Sequence, residues 1–82
     1  MKFAKLFEYG KHQLLIKKTF GDDQEPEIEC TTVVKGLKIT NTLGFSNKNK
    51  RDSGFDSMTK ENCLPMLYTM QGFYKGTITV EE

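Results

Sequence analysis

The stretch Glu27–Leu43, EIECTTVVKGLKITNTL, decides the fold. Ile28, Cys30, Thr32 and Val34 fall on one side and Glu29, Thr31 and Val33 on the other, the period of a strand with one buried side. Lys35-Gly36 interrupts the pattern, and the glycine supplies the positive φ that a two-residue hairpin needs. Alternation then resumes, with Leu37, Ile39 and Leu43 on one side and Lys38, Thr40 and Thr42 on the other. A hairpin over residues 27–43 follows.

Working outward, residues 13–20 (QLLIKKTF) read as a preceding strand with Leu14, Ile16 and Phe20 on one side. The segment GDDQEP between them is a turn, opened by Gly21 and closed by Pro26, which cannot donate to a ladder. Residues 2–8 read as a first strand, with Phe3 and Phe7 on one side and Ala4 and Leu6 on the other, and Gly10 breaks the chain after it. Two successive hairpins predict a four-stranded antiparallel meander over residues 2–43.

Residues 44–57, GFSNKNKRDSGFDS, lack apolar periodicity and read as a long connection. A helix is expected to begin between residues 57 and 64, capped by Asp56, Ser57 or Thr59, with Glu61 in its first turn. Cys63, Leu67, Met70 and Tyr74 recur at intervals of three and four. Pro65 is tolerated only near a helix start, so the helix is expected to start near Asn62 or to kink near residue 61. The β-branched segment 77–80 reads as a short fifth strand. Together these elements predict a single two-layer α+β domain spanning residues 1–82, with one C-terminal helix on one face of the sheet. Its core is expected to hold Phe3, Phe7, Leu14, Ile16, Ile28, Cys30, Leu37, Ile39 and Leu43. Leu6, Leu15 and Val33 fall on the outer face, where clustering would make a self-association patch and hence a homodimer.

Composition narrows the function. The 82 residues carry a formal charge of +1, with 12 cations against 11 acids. A dedicated duplex-DNA binder carries a marked basic excess instead. Charge is nevertheless segregated: residues 1–20 hold five lysines against Glu8, and residues 21–29 hold five acids and no cation. No run approaches the roughly 20 apolar residues of a membrane span, and no signal-peptide core is present, which places the protein in the cytoplasm. Cys30 and Cys63 then read as free, buried thiols.

His12, the sole histidine, reads as a turn residue. Cys30 with His12 would be the one conceivable nucleophile–base pair, but Cys30 points into the core with nothing to orient a base. No metal-ligand spacing, GxGxxG or Walker pattern occurs. The sequence therefore predicts a non-enzymatic protein with no cofactor and no metal.

Lys48, Lys50 and Arg51 in the long connection have three readings: a solvated loop, a contact with an acidic protein surface, or a phosphate contact with Phe45 and Phe55 stacking on bases. Three phosphate contacts would give a salt slope of only about −2 to −3, which disfavours nucleic acid, and the two phenylalanines read better as anchors to the core. Lys48, Lys50 and Arg51, with Asp22 and Asp23 of the acidic turn, are therefore the candidate partner-binding residues.

The opening MKFAKLFE, the β-rich middle and the segment KRDSGFDSMTKE running into a helix resemble a group of small accessory proteins encoded by bacteriophages. The resemblance implies a cytoplasmic product that binds and modulates a bacterial host or defence protein. Two alternatives stand beside it: a nucleic-acid-binding accessory protein using residues 45–55, and a dimeric sponge for a small signalling nucleotide.

Overall fold

Strand alternation and turn chemistry build the sheet as the sequence predicts. In the computed structural model, which describes residues 3–75 and side chains as far as residue 72, four strands pair in chain order. They are β1 (Ala4–Tyr9), β2 (His12–Phe20), β3 (Pro26–Val34) and β4 (Leu37–Gly44), all antiparallel to their neighbours. Lys35 (φ 51°) and Gly36 (φ 83°) are both left-handed in the β3–β4 turn, the combination whose twist matches the flanking strands. The acidic turn winds into a short 3-10 segment, Asp22–Gln24, with Asp23 also left-handed.

Register puts Lys5, Phe7 and Tyr9 on the same face as Leu14, Ile16, Ile28 and Cys30. This face carries the helices. Leu14, Ile16, Ile28 and Cys30 are fully buried against Phe55, Cys63 and Met70. Thr32 is buried among them, and its hydroxyl donates to the Gln13 carbonyl at 2.6 Å.

The helical layer differs from expectation. Two helices cover the sheet, α1 (Lys48–Ser57) and α2 (Lys60–Lys75), so the stretch read as a long connection is largely helical. Asn47 caps α1, its side chain accepting from the Lys50 N–H at 2.8 Å. The inward face of α1 is Arg51 and Phe55, one turn apart. Gly54 lets Phe45 lie against the helix, because a Cβ there would sit 3.2 Å from the Phe45 ring.

At the far end of α1, Lys5 of the edge strand β1 donates to the carbonyls of Phe55 (2.7 Å) and Met58 (3.0 Å). A cation on the orphan carbonyls also complements the helix dipole. Tyr9 adds a hydrogen bond from its hydroxyl to the Lys60 carbonyl, 2.7 Å. The edge strand therefore ties down the junction between the helices.

Helix α2 starts at Lys60, inside the predicted window, and buries Cys63, Leu67 and Met70. Thr59 and Asn62 bond reciprocally, side chain to backbone N–H, at 3.1 and 2.7 Å, a capping-box arrangement. Because this start is earlier than Asn62, Pro65 lies in the second turn and the exposed Glu61 carbonyl loses its helical partner. Thr59→Ala is expected to cost about 1 kcal/mol and lower the melting temperature by about 4–8 °C, measurable by circular dichroism. The strand expected at residues 77–80 and the side chain of Tyr74 lie outside the described residues.

Two expected core residues are not buried. Phe3 is 70% exposed and Leu37 55% exposed. Both are on the helix side by parity, at opposite ends of the sheet's edge strands where neither helix covers them.

Candidate functional site

Strand register brings the outer-face leucines together. Leu6 pairs with Leu15, Leu15 pairs with Thr31, and Thr31 pairs with Thr40, forming a stripe across all four strands. Val33 stands two residues from Thr31 on the same face. Leu6, Leu15 and Val33 are 53%, 37% and 55% exposed. With Lys11, Gln13 and Thr31 they line one shallow depression of about 400 Å³. Among the described residues no helix packs on this side, so these three side chains face outward as a set.

The charged candidates are scattered and differ in availability. Asp22 and Asp23 are exposed on the β2–β3 turn and make no ion pair among the described residues. Lys48 and Lys50 are exposed on α1. Arg51 is not available: it is 6% exposed and its guanidinium binds the Thr19 carbonyl (2.9 Å) and Asp52 (3.1 Å). Its Cζ lies 4.8 Å from the Phe20 ring centroid, and Lys48 Nζ approaches the same ring at 6.0 Å. Segregated charge is partly spent inside the sheet, since Lys17 faces Glu29 across β2 and β3 with an ion pair at 3.5 Å.

Phe55 and Phe45 anchor the segment to the core, as read from sequence. Phe55 is fully buried, and Phe45 packs half-buried against the same cluster. Neither ring is placed to stack on a base. Lys5 and Lys18 lie over the Phe55 ring at 4.7 and 5.0 Å. These two lysines were missed by sequence reasoning, which treats lysine as surface, although both sit at inward positions of their strands.

Asp52 receives both Lys18 (3.3 Å) and Arg51 (3.1 Å) on one oxygen. Burial alone would raise its carboxyl, but hydrogen bonds from Arg51 and Lys18 outweigh that and hold it below the usual carboxylate range.

Cys30 and His12 do not form a pair. Cys30 is opposite Ile16, and His12 is four residues further along β2, about 13 Å away at strand rise. Burial, with smaller contributions from Cys63 and Glu29, pushes the Cys30 thiol up to about 11, so the thiolate is scarce at neutral pH. Among the described residues no group of three His, Cys, Asp or Glu is placed to hold a metal ion, and no helix is long and apolar enough to cross a membrane. No known protein family, curated protein or solved structure matches the chain.

Proposed function

We propose that the protein is a non-enzymatic binding protein that modulates or inhibits a partner protein by occlusion, with the open sheet face as its contact surface. The convergence of Leu6, Leu15 and Val33 on one depression carries this reading. Apolar residues scattered singly over a surface are ordinary. A convergent set on a face left open by the helices has the character of a protein-contact surface. The same face fits a second copy of the chain, because a two-fold axis would lay each leucine pair on its counterpart.

A bacterial host or defence protein, met in the cytoplasm, is the partner class that the resemblance of MKFAKLFE and KRDSGFDSMTKE to phage accessory proteins supports. Exposed Asp22 and Asp23 on the turn and Lys50 on α1 would orient such a partner by charge. A nucleic-acid interface at Lys48, Lys50 and Arg51 is weakened by the engagement of Arg51 inside the fold.

Leu15→Lys tests the reading. Light scattering of the wild-type protein is expected to show concentration-dependent dimers at tens to hundreds of micromolar, and the variant should remain monomeric with an unchanged circular dichroism spectrum. A wild type that stays monomeric over that range, and that captures the same host proteins as the variant, counts decisively against it.

A further inference from the structure

A second surface lies on the helix side, where the covering layer runs out. Phe3, just before β1, and Phe20, the last residue of β2, are both on the helix-facing side of the sheet. Helix α1 does not cover them: Phe3 is 70% and Phe20 49% exposed. They line a cleft of about 280 Å³ whose other walls are Lys18, Lys48, Arg51 and Asp52. Two exposed aromatic rings lining one cleft leave apolar surface in water that an occupant would cover.

The charge of the cleft selects its occupant. Lys18 and Arg51 share a single carboxylate oxygen of Asp52, and Lys48 is in no ion pair among the described residues. Three cations against one acid leave an excess of two positive charges around the cleft, where Lys48 is exposed and Lys18 and Arg51 contribute from the walls, with 9% and 7% of their side chains exposed. Arg51 is held rigidly by the Thr19 carbonyl and Asp52, and its Nη2 has no partner among the described residues. Arg51 and Lys48 also flank the Phe20 ring, so an anion placed there meets cations beside an aromatic face. At about 280 Å³ the cleft is just below the size range of small-molecule sites, about 300–1,000 Å³. It has room for one large side chain and the group next to it.

We propose that the Phe3/Phe20/Lys48/Arg51 cleft binds an acidic peptide segment in which a large apolar side chain lies beside a carboxylate. The apolar group packs between the two rings, and the carboxylate meets the exposed Lys48, with Arg51 adding positive charge from the cleft wall. A polyphosphate chain fits less well. Two phosphate contacts alone would give a salt slope of only about −1.4 on a single strand.

The probe is a fluorescein-labelled acidic pentapeptide with phenylalanine at its centre, followed by anisotropy and by amide chemical shifts. Saturable binding is expected, with shifts concentrated at Phe3, Phe20 and Lys48. Lys48→Glu should weaken it about tenfold, while Lys50→Glu, on the same helix but outside the cleft, should change it by less than about twofold. Replacing the central phenylalanine by glycine, or the acids by their amides, should each cost about tenfold. The proposal is overturned if millimolar peptide moves no cleft resonance, or if Lys48→Glu and Lys50→Glu have equal effects. It is equally overturned if the glycine peptide binds as well, or if an oligothymidylate of equal charge displaces the peptide at lower concentration. Leu15→Lys should bind the peptide as wild type does, so failure here is distinguishable from failure of the sheet-face reading.

Discussion

Phe55→Ala is expected to destabilise the protein by about 3–5 kcal/mol, a large share of the roughly 4–12 kcal/mol that a domain of this size has. Phe55 is among the largest fully buried side chains, and it touches core contributions from the sheet and both helices. Its removal opens a cavity in a domain too small to redistribute packing, since a chain of this size buries only about 60% of its unfolded surface. It also removes the ring beneath the Lys5 and Lys18 amines, at 4.7 and 5.0 Å. Lys18 is 9% exposed at its side chain and would keep Asp52 as its one ion-pair partner among the described residues. Urea denaturation followed by circular dichroism measures the loss. Phe55→Leu, which keeps much of the volume, should retain a cooperative transition at a lower midpoint. If Phe55→Ala shifts the transition by less than about 1 kcal/mol, Phe55 is not the keystone of the core.

Arg51→Met should cost about 2–4 kcal/mol. Methionine fills much of the same space but offers no donor, leaving the Thr19 carbonyl and Asp52 without the bonds they make at 2.9 and 3.1 Å. The contact with the Phe20 ring loses its charge as well. Arg51→Lys should recover only part of this, because an ammonium cannot bond Thr19 and Asp52 while lying flat on the ring. A pH signature separates this network from simple packing. The Asp52 carboxyl is held below its ordinary range in the folded protein, so the network stabilises the fold at neutral pH. That contribution is lost as pH falls below about 4, where the unfolded chain takes up the proton first, and on toward the lower folded value. In Arg51→Met the acid-side decline should be shallower. An equally steep decline would show that Arg51 is not what depresses Asp52.

Thr59→Ala and Leu15→Lys act at single features, a cap and a surface face, so their effects should add to those of the core variants rather than couple with them.

The sheet was readable because its rules are local. Period-two alternation from Ile28 to Leu43, and glycine at position 36, imply the second hairpin without any knowledge of what covers it. Helix α2 was readable for the same reason: Cys63, Leu67 and Met70 mark an apolar stripe, and Thr59 is among the caps the sequence offers, although the start at Lys60 is earlier than the Asn62 expected from Pro65. Helix α1 was not. Its buried face is Arg51 and Phe55, an arginine stem and one ring, so no apolar stripe is written into residues 48–57. Asn47 as an N-cap was the one local signal for it. Arg51 and Asp22–Asp23 look equally available in the chain, yet Arg51 is consumed by Thr19 and Asp52 while the acids remain in solvent.

Parity along each strand assigns Leu6, Leu15 and Val33 to the outer face from local spacing alone. That they meet in one depression depends on inter-strand register, which places Leu6 opposite Leu15 and Leu15 opposite Thr31. Parity equally assigns Phe3, Phe20 and Leu37 to the inner face, and says nothing of whether a helix reaches them. Burial belongs to pairs of elements and not to positions in a chain. A lysine at an inward position becomes a helix cap, as Lys5 does, when carbonyls arrive above it. A phenylalanine at an inward position stays bare, as Phe3 does, when the covering helix ends short of it.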